Sequence, residues 1–504
     1  MLRLLLVCSV LLFSPVLAQT PLIVAQGGDV VTLDAHDIVE AVSSLVSRQI
    51  YETLFEVTPE GAIEPLLVAD YQVSDDGLLW TLSLREGIRF HDGSLFDAEA
   101  VKFNLERFIN PDNGFAFAFL LNRIESVEVV DDLTVDVRLS GPFAPFLAHL
   151  SHISTAIVSP TAVMEHGEEF YRNPVGTGPF RFDNWTVGQQ LEVVRFEDYW
   201  GEASPMERMR FIPAPENTTR MALLESGEAH VAVSVPPQDI MRLSAHPDIT
   251  VDQTAGTRIV YIYFNPNIAP FGDVRVRQAI NFAVDKEAIV EFVLGGAGVV
   301  ADAPFSPGLF GYSPQTPYPF DPERALALLE EAGYPEGFST SLFCPSGRYL
   351  QDIQTCEAIQ SQLAEVGIEV SIETFEWAAY LQRTGLPLED NDIPMAMYGW
   401  ATGTGDADYA LFPLLHSSQH VPMGSNRSFY SNPEVDQLLA DARTIANQEL
   451  REPMYHQAVA LLWEDAPWLF LHLQAELTGI RNEVSGVVVY PTTGIQLHNA
   501  AFLP

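Results

Sequence analysis

Between Ser74 and Phe108 the hydrophobic pattern changes from the period of a strand to that of a helix, and the change predicts three joined elements. Ser74-Asp75-Asp76-Gly77 supplies turn residues. Residues 78–84 set Trp80, Leu82 and Leu84 between Thr81 and Ser83, which reads as a strand. After Arg85-Glu86-Gly87 a second strand over 88–90 is expected to return antiparallel to it, into the turn His91-Asp92-Gly93, making a hairpin. Asp97 then stands as an N-cap, Glu99 falls in the first helical turn, and Val101, Leu105 and Phe108 repeat at helical spacing.

The pattern continues as alternating strands and helices. Residues 124–139 read as a hairpin turning at Asp131-Asp132, and residues 143–150 as a short apolar helix. Strands are predicted around 182–185 and 191–196, a helix over 221–228, and strands over 231–235 and 261–265. Asp273 caps a helix whose apolar face is Val274, Ala279, Phe282 and Ala283. Then come a helix over 321–332 with Asp321 as cap and Pro322 at its first position, a strand over 339–343, a helix over 352–366 closed by Gly367, and a strand over 368–372. A helix over 458–463 and an apolar strand over 468–473 carry the chain back. Such alternation is that of an α/β lobe with a central sheet.

At 504 residues with 47% hydrophobic content, the chain is large enough to divide into two cores or more. Its net charge of −41, from 67 acidic and 26 basic residues, excludes phosphate-backbone binding as a function, because that affinity depends on cations; nucleic acid is not an expected partner. Lys102 and Lys286 are the only lysines. Met1-Leu2-Arg3, the apolar run over 4–13 and Val16-Leu17-Ala18 have the order of a cleaved leader, so residues 1–18 read as a signal peptide and the mature chain as beginning at Gln19. Ser14 and Pro15 interrupt the run before it reaches the ~20 residues that span a bilayer, and Val7 before Cys8 does not fit a lipidation site. The mature protein is therefore expected outside the cytoplasmic membrane and soluble.

Catalytic signatures are missing: there is no Gly-x-Ser-x-Gly elbow, His-Glu-x-x-His or Cys-x-x-Cys. His149 with His152, and His416 with His420, have the spacing of one helical face, but each pair lacks a third ligand nearby; no metal and no cofactor are implied. The loop Gly176-Thr177-Gly178-Pro179-Phe180 leads into strands and not into a helix N-terminus, so a backbone role fits it better than a phosphate cradle. Cys344 and Cys356, the two mature thiols, either form a disulfide or remain as buried thiols. The segment Tyr398-Gly399-Trp400-Ala401-Thr402-Gly403-Thr404-Gly405-Asp406-Ala407-Asp408 carries the densest candidate chemistry. Tyr398 and Trp400 offer flat amphipathic surface, Thr402 and Thr404 offer hydroxyls, and Asp406 and Asp408 would anchor an ammonium group.

The hairpin and helix of residues 74–108, the turn at 176–180, the strand and helix over 261–286 and the loop after Trp400 together resemble family 5 of the extracytoplasmic solute-binding proteins, the peptide, nickel and glutathione receptors of ABC importers. The resemblance covers nearly the whole mature chain. It implies a type II periplasmic-binding-protein fold: lobe I from 19–258 plus 475–504, an inserted α+β subdomain near 48–165, and lobe II from 259–474. It also implies a monomeric, periplasmic receptor, not an enzyme, that closes on a small peptide-like ligand and delivers it to a membrane permease and its ATPase. Dipeptide and oligopeptide receptors of this family hold the peptide ammonium with an Asp three residues after the equivalent Trp, where this chain has Gly403. The run 404–411 instead looks like the glutathione-binding receptors. Two carboxylates of such a ligand require bidentate donors, and Arg348 and then Arg258 are the candidates. A dipeptide or oligopeptide receptor, or one for a nickel chelate or haem, is the alternative.

Overall fold

The computed structural model describes residues 20–58, 61–490 and 494–503. The leader expected over 1–18, its cleavage site and Cys8 lie outside the described residues. The chain forms two lobes joined by one mixed sheet of 11 strands. Across that sheet the order is Ile368–Glu376, Phe338–Ser346, Met395–Ala401, Ile249–Phe264, Trp468–Arg481, Val231–Val233, Leu22–Gln26, Arg208–Pro213, Gln190–Arg195 and Phe180–Thr186, with Gly298–Val300 also paired to Trp468–Arg481. Trp468–Arg481 thus stands between strands drawn from residues before 234 and strands drawn from residues after 248.

Ile249–Phe264 and Trp468–Arg481 run antiparallel across both lobes, with register shifts between Ala255 and Ile259 and between Val260 and Tyr261. The first irregularity has a local cause. A Cβ at Gly256 would come within 2.5 Å of the Gln474 carbonyl oxygen, so the two backbones approach more closely there than any side chain permits. In the first lobe, Leu22 and Val24 pack into one apolar core while Ala25 packs into another, which is why residues 22–25 form a continuous apolar run. In the second lobe, Val260 and Ile262 face one core and Ile259, Tyr261 and Tyr263 another.

A separate core, from Leu54 to Ile157, belongs to an α+β subdomain built on a four-stranded antiparallel sheet. Leu79–Leu84 is one of its two inner strands and buries alternate residues. Helix Ala98–Ile109 lays Val101, Leu105 and Phe108 onto that sheet, and the Asp97 side chain accepts from Ala100 N–H at 2.9 Å, as the capping pattern predicts.

The expected partner of this strand is corrected. Leu79–Leu84 pairs with Val68–Val73 and Thr134–Leu139, not with residues 88–90. Gly87, at φ +84°, turns the chain away, and Ile88 and Phe90 drop into the subdomain core as anchors of a small loop closed by Phe90 N–H to Ser94 O and Phe96 N–H to Ile88 O. The hairpin of Ile124–Asp131 and Thr134–Leu139 forms as predicted, with Asp131 accepting from Leu133 N–H at the turn. Two elements extend well beyond their predicted ends. The helix read from 458 runs as Gln448–Asp465 through Pro453, and the strand read as 468–473 continues to Arg481. The helix expected over 143–150 shortens to Phe146–His149. Cys344 and Cys356 are bridged and fully buried.

Candidate functional site

The sequence places a turn after strand Phe338–Ser346, and Gly347 at φ +75° makes it. Asp352, in the first turn of helix Asp352–Glu365, accepts from the backbone N–H of Arg348 at 2.7 Å and of Tyr349 at 3.2 Å. Those two bonds fix the loop, and the disulfide from Cys344 to Cys356 ties its ends together. Arg348 is thereby presented over the face of Trp377, 4.8 Å from the ring centroid. The neighbouring strand Met395–Ala401 brings up Tyr398, Gly399 and Trp400. Gly399 N–H donates to Tyr349 Oη at 2.8 Å, and a Cβ at Gly399 would lie 2.7 Å from the Tyr349 ring, so only glycine fits.

Arg348, Trp377, Tyr398, Gly399 and Trp400 line a cavity of about 430 Å³ between the lobes. Arg258 joins them from the paired strand Ile249–Phe264, opposite Ala401. Burial holds its guanidinium below the ordinary value and Arg348 pushes the same way. Trp400 donates through Nε1 to the Tyr409 carbonyl at 3.0 Å, which fixes its ring 5.4 Å from that of Tyr409. The Tyr398 hydroxyl lies 2.5 Å from Thr384 Oγ1. Of the sequence candidates, then, Arg258, Arg348, Tyr398 and Trp400 meet in one place.

The other four do not line it. Asp406 caps helix Ala407–Leu415 and accepts both guanidinium edges of Arg451, at 2.5 and 2.7 Å, in a site sealed from solvent. Asp408 is buried against Arg443, 2.9 Å away, with His149 Nε2 at 3.9 Å, and burial pushes its carboxyl up to about 6. Thr402 and Thr404 are also buried. The physical reason is common to all four: the loop is drawn inward by Phe310, whose N–H and carbonyl bond Gly405 O and Ala407 N–H. The ammonium anchor expected of the two carboxylates is therefore replaced by internal ion pairs.

Several lining residues escaped the sequence reading. Arg48 enters from helix Ala41–Ile50, and Arg427 lies 4.9 Å over the Tyr398 ring. Tyr261, Trp377, Tyr409 and His152 complete the aromatic wall. His152 sits directly against Gly403, where an added Cβ would lie 2.8 Å from its ring, and burial lowers its pKa to about 3, so the imidazole is neutral. A signal existed for the arginines: in a chain this poor in cations, each Arg outside a helical charge pair deserves a candidate role. Among the described residues no group of three or more His, Cys, Asp or Glu is arranged to hold a metal. His149 Nδ1, His416 Nδ1 and His420 Nε2 engage backbone groups instead.

An adjoining chamber of about 190 Å³ shares Arg48, Ile153 and Gly403 with the main cavity and is lined by Glu52. The Glu52 carboxyl accepts from Thr177 Oγ1 at 2.8 Å, Tyr199 Oη at 2.7 Å and Trp200 Nε1 at 2.9 Å. Burial nonetheless pushes it up to about 7.

Residues 62–421 match the family described as "Bacterial extracellular solute-binding proteins, family 5 Middle". This chain belongs to that family. It is 34% identical over 499 residues to the protein named Glutathione-binding protein GsiB of Pectobacterium atrosepticum, covering 98% of this chain and 96% of the relative. Its namesake in Salmonella typhimurium is 33% identical over 490 residues, 96% of this chain and 95% of the relative. Among solved structures, HbpA2 from Haemophilus parasuis superposes with a TM-score of 0.87 at 29% identity, over 96% of this chain and 100% of that one. The periplasmic binding protein DppA from Helicobacter pylori, solved with the peptide STSA, gives 0.80 at 29% identity, over 96% and 98%. The fold is accordingly the type II periplasmic-binding-protein fold, two lobes with an inserted α+β subdomain in the first. No helix among the described residues is long and apolar enough to cross a membrane.

Proposed function

We propose that this family 5 receptor captures glutathione or a related small peptide between its lobes, outside the cytoplasmic membrane, and delivers it to an ABC permease driven by a cytoplasmic ATPase. The observation that carries the reading is the meeting of Gly403 with His152 at the cavity wall. The position where dipeptide receptors of the family carry their ammonium-binding Asp is glycine here, and the imidazole occupies the space that any side chain would need. With that anchor absent and Arg258 and Arg348 present, the cavity favours ligand carboxylates over a peptide N-terminus. The relatives named for glutathione, alike over nearly the full length, support the same ligand.

Closure would bend the two long strands near Gly256, with residues 19–258 and 475–504 moving against residues 259–474 and the ligand bridging both. Calorimetric titration with glutathione, its disulfide, Gly-Gly and Ala-Ala tests the proposal. Glutathione or its disulfide should bind and the dipeptides should bind at least tenfold more weakly. Tight binding of Gly-Gly or Ala-Ala with none of glutathione would place the chain with the dipeptide receptors.

A further inference from the structure

We infer that Arg48 and Arg427 make the cleft selective for ligands with two or more carboxylates, so that ligand charge, and not only peptide character, decides what is captured. The inference rests on the receptor reading and names its ligand class. Four guanidiniums, those of Arg48, Arg258, Arg348 and Arg427, line the main cavity, while Glu40 is the one carboxylate among the described residues that does so. None of the four has a carboxylate within ion-pair distance among the described residues, although acidic residues outnumber basic ones 67 to 26 in the chain. Elsewhere Arg107, Arg208, Arg242, Arg383, Arg443 and Arg451 are all paired. Arg258 feels the Glu476 carboxylate at longer range, but four cations gathered in one cavity without an ion pair run against the field of the whole molecule.

The local geometry points the same way. The Arg348 and Arg427 guanidiniums sit over the rings of Trp377 and Tyr398, 4.8 and 4.9 Å from the ring centroids, and these contacts hold both cations at the cavity wall. The Nε atoms of Arg48 and Arg427 are buried without a hydrogen-bond partner among the described residues. Arg48 and Arg258 fall within residues 19–258 and Arg348 and Arg427 within residues 259–474, so like charges face each other across the cleft. A ligand with a single carboxylate and an ammonium adds no net negative charge to this arrangement. One with two carboxylates satisfies cations on both walls, and is favoured where the alternative is an unpaired buried charge.

The test is a titration series at fixed ionic strength with glutathione, glutathione monoethyl ester, γ-glutamylglycine and Ala-Ala-Ala, on the wild type and on Arg48→Gln, Arg427→Gln and Arg427→Lys. Melting curves confirm that each variant is folded. In the wild type the free acid should bind at least tenfold more tightly than its ester, and Ala-Ala-Ala more weakly still. Either Gln variant should shrink the acid-to-ester ratio to threefold or less, with Arg427→Lys recovering part of it, an outcome that a merely structural role for these residues would not give. Equal binding of acid and ester, an unchanged ratio in both Gln variants, or no binding by either two-carboxylate probe overturns the inference. Glutathione binding with no preference over the ester would leave the proposed ligand standing and remove the charge rule; arginine-dependent binding of γ-glutamylglycine without glutathione would do the reverse.

Discussion

Asp406 and Arg451 are each other's buried counter-ion: the guanidinium donates to both carboxylate oxygens, at 2.5 and 2.7 Å, and both residues are 2% exposed. Arg451 also donates to the Tyr455 hydroxyl and to the Ala442 carbonyl, so the pair ties the loop after Trp400 to the helix Gln448–Asp465.

Asp406→Asn should therefore cost stability and not ligand contact. Removing one partner leaves a buried cation unpaired, an effect of about 3–5 kcal/mol. Denaturant unfolding should show that loss, while titration well below the melting temperature finds the ligand dissociation constant within a few-fold of wild type. A large loss of affinity at unchanged stability would return Asp406 to the ligand.

Replacing both Cys344 and Cys356 by Ala should lower stability by roughly 2–3 kcal/mol, the scale for a short closed loop. Because Arg348 lies inside that loop, the same variant should also bind anionic ligand more weakly. Unchanged affinity alongside lowered stability would mean that the Asp352 bonds alone hold the loop in place.

His472 gives an acid-sensitive term. Its ring is 2% exposed, neither nitrogen has a partner among the described residues, and burial depresses its pKa from 6.5 to about 4. Between these values the unfolded chain binds the proton and the folded chain does not, so this stability is present above pH 6.5 and lost as pH falls toward 4, by up to about 3 kcal/mol. His472→Leu should match or exceed wild type at pH 7 and fall less steeply on acidification in a melting series. An equal slope would locate the acid sensitivity elsewhere, in His36, His91, His149 or His152.

Glu52 acts in the opposite direction. Its folded pKa of about 7 lies above the ordinary 4.5, so the folded state holds the proton longer and stability declines as pH rises between the two. Glu52→Gln should remove that decline between pH 4.5 and about 7 in the same melting series. No change there would show that its three hydrogen-bond donors already stabilise the charged carboxylate in full.

Gly403→Ala should cost about 1–3 kcal/mol in stability or weaken ligand binding, since the new methyl meets the His152 ring. His152→Ala in the same chain should relieve the clash. If Gly403→Ala alone is silent, the ring moves freely and the wall is softer than the contact implies.

Much of the fold was legible because local signals agreed with the tertiary arrangement. Asp97, Asp273 and Asp321 cap the helices that their spacing predicted. Residues 88–90 misled because a short apolar run beside a turn reads alike whether it pairs with a strand or plugs a core, and only the distant Thr134–Leu139 decides. The site divided along the same line. Tyr398 and Trp400 were legible as aromatic surface in a glycine-rich segment, but whether Asp406 faces a ligand or a helix depends on Arg451, 45 positions away. Only the scarcity of cations marked Arg48 and Arg427, since nothing in their immediate sequence singles them out; their role comes from convergence of separate elements.

The place of Trp468–Arg481 in the sheet also sets an order of events. This strand is synthesised after every other strand of the large sheet, yet it lies in the middle of that sheet, between Val231–Val233 and Ile249–Phe264. Until it arrives, each half of the sheet presents an open edge and the two cannot join. Pairing so distant in sequence is slow, because a very long loop must close before any contact rewards it. A nascent chain that has made every earlier strand of that sheet still lacks its central seam, and its two halves stay apart until this strand is added.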